Sequence, residues 1–264
     1  MCLKSSAIIL LIFISCNRSQ GDYAACQIIG HGANGLENTA SIYHDNTAQA
    51  IALATERIGC SGVELDVQLS ADGSLWLFHD ELLDKETSGK GSINDHNDAY
   101  LDKLEYATIH REKLVCLSKT NIDFKSKTVF LDLKHLNSSQ NKWVDLDNML
   151  EAIRIFKLFN KTLDLNLITN NYSWLPYLLD LDIPVFVELA DVTSNLSTLP
   201  EDVVGVVIKN RHCSADQVNV FRSKGKKVVI FEVRSPKWTC RALEKQPDYL
   251  ITDDIRVALI EKEP

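Results

Sequence analysis

Glu64 and Asp66 stand two residues apart in the segment Gly62-Val63-Glu64-Leu65-Asp66-Val67-Gln68-Leu69, which alternates with period two. In a strand, residues i and i+2 face the same side, so both carboxylates point one way. Two carboxylates on an interior face repel unless something neutralises them, and a hard divalent cation with oxygen ligands does so. Asp132 and Lys134 repeat the spacing in Val129-Phe130-Leu131-Asp132-Leu133-Lys134, offering a third oxygen ligand and a fixed positive charge. His31 ends the apolar segment Gln27-Ile28-Ile29-Gly30, and His79, followed by Asp80, ends Ser74-Leu75-Trp76-Leu77-Phe78. Imidazoles titrate near neutral pH and suit proton transfer. A cation site, a lysine and two such groups imply an anionic substrate, and a phosphodiester fits. Each residue alone has a plainer reading, as an ion-pair partner, a cap or a satisfied core histidine. Six of them at four strand ends are harder to explain as structure, because buried charges are costly unless paired or metal-bound.

These residues are far apart along the chain, so the fold must converge them. After Cys26, extended segments (27–31, 62–69, 74–79, 129–134, 165–169, 184–189, 203–208, 228–233 and 249–252) alternate with helical stretches (47–58, 144–159, 174–181 and 214–224). Repeated alternation over this length predicts an α/β fold, a closed TIM (β/α)8 barrel whose strand carboxyl ends carry the chemistry. The extended segments exceed eight by one, so one of them must be a flap, an edge piece or a doubled strand. A doubly wound open sheet is the alternative, but no Gly-rich dinucleotide fingerprint follows the first strand. Residues 80–127 read as a small polar insertion after strand three. Asn46 is a candidate cap for the helix at 47–58.

The net charge of −8 (28 Lys+Arg against 36 Asp+Glu) gives no basic excess for tracking phosphates, which disfavours a nucleic-acid partner. The first residues carry one lysine, an apolar run and a small residue before Cys16, as a secretory signal does. The expectation is a signal peptide over 1–15, a lipidated Cys16, a tether over 16–26 and a barrel domain over 27–264. The chain is then exported and held at a membrane by its lipid anchor, in the periplasm or cell envelope. Five cysteines remain beyond Cys16, an odd number without Cys-x-x-Cys spacing. Cys60 reads as a core residue and Cys213 with Cys240 as a conceivable disulfide.

His31, Glu64-Leu65-Asp66-Val67, Asp72-Gly73, His79-Asp80 and Asp132-Leu133-Lys134 resemble the motifs of the glycerophosphodiester phosphodiesterase family. Leu83, Thr87, Gly89, Gly91 and Ile93 echo it further, as does the closing stretch Asp248 to Asp253. The resemblance covers about 27–255 and is strong as far as 93. It implies a TIM barrel with an insertion, and a Ca2+ or Mg2+ ion held by Glu64, Asp66 and Asp132. It makes His31 and His79 the acid–base pair and Lys134 the group that stabilises phosphoryl charge. It also implies a mechanism in which a substrate hydroxyl attacks the phosphate and water opens the cyclic product. Three departures stand out. Gly32-Ala33 replace an Arg-Gly whose arginine contacts phosphate, Asp132 replaces a longer Glu, and Phe231-Glu232-Val233-Arg234 replace an aromatic strand. Arg234, or Lys209 on the preceding strand, is therefore a candidate replacement clamp; the plain alternative pairs Arg234 with Glu232 or Glu188. The family's Pro-Glu-Asn-Thr segment has two candidates, Glu37-Asn38-Thr39 and Asp45-Asn46-Thr47. A phospholipase D-like enzyme on intact or lyso phospholipids, and a catalytically lapsed ligand-binding lipoprotein, are the competing functional readings.

Overall fold

The structure, a computed structural model, describes residues 23–36, 41–137, 142–190, 192 and 199–263. The expected signal peptide, Cys16 and most of the tether lie outside these residues, as does Glu37-Asn38-Thr39.

Eight strands run parallel around a closed barrel: β1 (Gln27–Gly30), β2 (Gly62–Leu69), β5 (Thr128–Leu133), β8 (Asp164–Thr169), β9 (Val185–Leu189), β10 (Gly205–Lys209), β11 (Lys227–Val233) and β12 (Tyr249–Thr252). β12 pairs back onto β1, with Ile29 opposite Ile251, and closes the ring. Strands covered on both faces need apolar residues on both, which is why they read as near-continuous Val/Ile/Leu runs. Val63, Leu65 and Val67 of β2 face the outer helical layer. On the inner face Phe130, Phe186 and Tyr249 meet edge to face, with Phe130 5.2 Å from Phe186 and 5.1 Å from Tyr249. This aromatic plug fills the barrel beneath the carboxyl ends of its strands.

The surplus extended segment is β3 (Leu75–Leu77), which pairs antiparallel with β2 and carries β4 (Val115–Cys116) on its other edge. It belongs to no barrel position, since β2 pairs directly with β5. The insertion between those two barrel strands thus includes β3 itself. It has its own core of Trp76, Phe78, Leu83, Ile93, Leu101 and Tyr106, among others. Asp98, at the start of α2 (Asp98–Leu101), knots it together: its buried carboxylate accepts bonds from Ser70 Oγ (2.7 Å), Ser74 Oγ (2.7 Å) and Trp76 Nε1 (2.8 Å).

The short hairpin β6 (Leu136–Asn137) and β7 (Lys142–Trp143) precedes α3 (Leu146–Phe159). Helices α4 (Leu175–Leu179), α5 (Ala215–Ser223), α6 (Pro236–Leu243) and α7 (Ile255–Lys262) complete the outer layer. The first helix differs in detail from expectation. α1 (Ala48–Ala52) is capped by Thr47, whose hydroxyl accepts from Ala50 N, and continues as a π-turn over Leu53–Ile58. Asn46 is not its cap; its side chain is committed to Asp66 instead. Cys26, Cys60, Cys116, Cys213 and Cys240 form no disulfide among the described residues, so the Cys213–Cys240 bridge is not made; Cys240 Sγ lies 3.5 Å from Glu261. Cys60 is fully buried, as its place before β2 suggested.

Candidate active site

Glu64 and Asp66 of β2 and Asp132 of β5 project into the barrel mouth, with carboxylate oxygens all within 4.8 Å of one another. Register makes this possible, since Asp66 lies opposite Asp132 in the parallel ladder. Lys134 follows β5 and bridges two of the three, with Nζ 2.7 Å from Asp66 Oδ1 and 2.6 Å from Asp132 Oδ2. Asn46 fixes Asp66 from behind: its Nδ2 donates to Asp66 Oδ2 (2.8 Å) and its Oδ1 accepts from Asp66 N (3.0 Å). Asn46, from the candidate Asp45-Asn46-Thr47, therefore positions Asp66, while Glu37-Asn38-Thr39 lies outside the described residues.

The turn after β1 is tight. A Cβ on Gly30 would lie 1.7 Å from Ala33 O, and Gly32 and Ala33 adopt φ of +51° and +75°. This left-handed turn aims Gly32 N at Glu64 Oε2 (3.0 Å) and places His31 over the carboxylates. His31 Nδ1 is bound by Asp253 Oδ1 at 2.7 Å, and Nε2 faces Glu64 Oε2 at 3.9 Å. Asp253 is itself buried and accepts from Leu36 N (3.0 Å). It is the site residue that strand spacing did not pick out, although it ends the closing motif just past β12.

His79 arrives by a different route from the one its sequence implied. It follows β3 of the insertion and is not at the end of a barrel strand. Gln68 of β2 holds that turn in place, its Nε2 donating to Phe78 O (3.0 Å) and Asp80 O (2.7 Å). The His79 ring contacts Asp80 Oδ1 at 3.0 Å.

One cavity of about 180 Å³ brings His31, Glu64, Asp66, His79, Asp132 and Lys134 together. Ile168, Val207, Phe231 and Ile251 floor it, so charge at its centre is poorly screened. The Phe231 wall depends on a bulge in β11. Glu232 is held at φ +58°, and the register with β12 shifts between Ile230 and Val233. Phe231 stays on the inner face, while Val233 joins the outer core. Arg234 and Lys209 reach the same end of the barrel but not the cavity wall. Lys209 Nζ is paired with Glu232 (3.0 Å), and Arg234 Nε lies 3.3 Å from Asp253 Oδ2. Arg234 thus meets Asp253 and stands behind His31.

Burial, then the charge of Asp66, pushes the Glu64 carboxyl up. Asp66 is equally buried, but the Lys134 ammonium overcomes that burial and holds its carboxyl below the usual range. Burial alone would lower His31; the Asp253 hydrogen bond and the charge of Glu64 more than offset it and raise the imidazole to about 9. Three hard oxygen donors with only one lysine between two of them form a set suited to an alkaline-earth ion.

The sequence profile of the glycerophosphoryl diester phosphodiesterase family matches residues 30–257. The chain belongs to that family. Among curated members, a glycerophosphodiester phosphodiesterase from Caldanaerobacter subterraneus is 41% identical over 69 residues, covering 26% of this chain and 28% of that protein. A bovine glycerophosphodiester phosphodiesterase 1 is 34% identical over 99 residues, 34% of this chain and 30% of its own length. The aligned stretches thus span less than a third of either relative. In structure, an Oleispira antarctica phosphodiesterase in complex with the product sn-glycerol-3-phosphate superposes with a TM-score of 0.77 at 22% identity, over 89% of this chain and 96% of that one. A glycerophosphodiester phosphodiesterase from Parabacteroides distasonis gives 0.70 at 19% identity, over 90% and 97%. At such identities the structural likeness carries the barrel fold, and family membership rests on the profile.

Proposed function

We propose that this family member hydrolyses glycerophosphodiesters to glycerol phosphate and an alcohol. The observation that carries the reading is the single cavity in which two imidazoles, three clustered carboxylates and one lysine meet. The phosphoryl group sits against Lys134, whose ammonium offsets charge developing on its oxygens. Glu64, Asp66 and Asp132 are the residues that would hold a Ca2+ or Mg2+ ion, which supplies further charge neutralisation at the phosphoryl oxygens. His31 and His79 divide the proton transfers. One accepts the proton of the glycerol hydroxyl whose oxygen bonds to phosphorus, and the other donates to the alcohol oxygen as its P–O bond breaks. The same pair then acts in the opposite sense while water opens the cyclic phosphate. Asp253, bound to His31 Nδ1, holds that ring with Nε2 toward the cavity.

The test is alcohol release from glycerophosphocholine, lysophospholipid and an aryl phosphodiester, with and without EDTA. EDTA-sensitive turnover of the glycerophosphodiester is expected, falling about 100-fold or more in both His31→Ala and His79→Ala. Turnover confined to lysophospholipid would shift the reading to a phospholipase D-like enzyme. Binding of phosphorylated ligands without turnover would make the chain a lapsed barrel.

We also propose export and anchoring through a lipid on Cys16, supported by the apolar run and small residue that precede it. Cys16→Ala should move the protein from the detergent phase to the aqueous phase of a detergent partition. An unchanged partition would remove the anchor from the account.

A further inference from the structure

We propose that Glu188 selects diesters whose alcohol carries a positive charge, an ammonium-bearing head group such as choline or ethanolamine. The proposal rests on the phosphodiesterase reading above and names the alcohol end of its substrate.

The cavity has a second lobe of about 140 Å³. It shares His79, Asp132, Lys134 and Glu188 with the first and runs outward to Glu81 and His135. Glu188 lies near the end of β9, opposite Val207 of β10, and is half-buried on the wall common to both lobes. It makes no hydrogen bond or ion pair among the described residues. The lysines near enough to influence it are Lys134 and Lys209. Both are committed elsewhere, Lys134 to Asp66 and Asp132 and Lys209 to Glu232 at 3.0 Å. The Glu188 carboxylate is thus left on the cavity wall without a cation of its own among the described residues. Desolvating such a group is costly unless something positive meets it there.

A glycerophosphodiester offers three parts to this groove. The phosphoryl group is anionic and is met by Lys134. Glycerol is neutral. The alcohol is the part that can bring a positive charge, so Glu188 directs it into the outer lobe. His79 lines both lobes whereas His31 lines only the inner one, so this direction also divides the proton transfers. His79 gives its proton to the alcohol oxygen as the P–O bond to it breaks. His31 takes the proton of the glycerol hydroxyl as that oxygen bonds to phosphorus.

The experiment compares kcat/KM for glycerophosphocholine and for the neutral-headed glycerophosphoglycerol, in cation-loaded wild type and Glu188→Gln. We expect about a tenfold loss or more on glycerophosphocholine, mostly in KM, and a change within about twofold on glycerophosphoglycerol. An equal loss on both substrates would assign Glu188 to glycerol or to the cation site and overturn the proposal. No loss on either would overturn it as well. A measurement that needs no variant is inhibition of wild-type glycerophosphoglycerol turnover by choline. Competitive inhibition absent with equal sodium chloride is expected, and its failure to appear would count against the subsite. If the wild type turned over neither diester, the phosphodiesterase reading itself would fall, and this proposal with it.

Discussion

At His31 the two ring nitrogens face different ways: Asp253 binds Nδ1 at 2.7 Å, and Nε2 is left toward Glu64, 3.9 Å away, and the cavity. The carboxylate orients the imidazole and raises its affinity for a proton, which lies behind its elevation to about 9. Asp253→Asn keeps the shape but removes the anion. The His31 titration followed by NMR in the cation-free protein should then move down from about 9. A raised histidine value requires an anionic partner to favour the charged form, so deleting that partner lowers it. Turnover should fall steeply, by up to about 10⁴-fold as for a carboxylate that orients a catalytic imidazole, with KM little changed. Arg234→Ala should cost less, because Arg234 meets Asp253 and not the cavity. The carboxylate triad and Lys134 were legible in the sequence because strand alternation shows which residues share a face, and the two histidines because each ends an apolar extended segment, although His79 reaches the cavity from the insertion. Arg234 was not, because the bulge at Glu232 adds a residue to β11 and inverts the alternation beyond it. A pattern that counts by twos fails at the first extra residue.

At the level of elements, the insertion is pinned by Asp98, whose buried carboxylate gathers Ser70, Ser74 and Trp76, with Lys119 Nζ 3.0 Å away. Burial opposes ionisation there, but these hydrogen bonds and Lys119 outweigh it and lower the carboxyl to about 2. An aspartate unfolded near 3.8 and folded near 2 contributes stability that is complete above about pH 4. That stability drains away as pH falls through about 2. Asp98→Ala should therefore destabilise the protein by about 2–4 kcal/mol at neutral pH in denaturant unfolding, since it strands several buried donors. Asp98→Asn should flatten the acid limb of the stability profile over that window. The insertion also explains how β3 came to look like a barrel strand. Period-two patterning shows burial and extension but not direction, so an antiparallel flap strand and a parallel barrel strand read alike. Asn46 was ambiguous for a related reason: next to a helix start it reads as a cap, and its service to Asp66 depends on tertiary contact.

For the molecule as a whole, the barrel alternation was visible from strand and helix spacing, whereas its closure is a long-range event that no local window contains. The three clustered carboxylates come from β2 and β5, which are adjacent in the ladder. The His31–Asp253 pair instead straddles the seam where β12 meets β1. Loosening the seam should separate the two functions. Leu250→Ala removes a fully buried side chain from β12 and should cost about 2–5 kcal/mol of folding stability. Turnover should drop while cation affinity, measured by calorimetry, holds near wild type. Equal losses in both would show that the site responds as one unit. His31 and Asp253 are 222 residues apart in the chain. The chain must therefore have left the ribosome past Asp253 before the oriented histidine can exist. Until β12 docks against β1, a growing chain can set Glu64, Asp66 and Asp132 side by side but has no carboxylate behind His31.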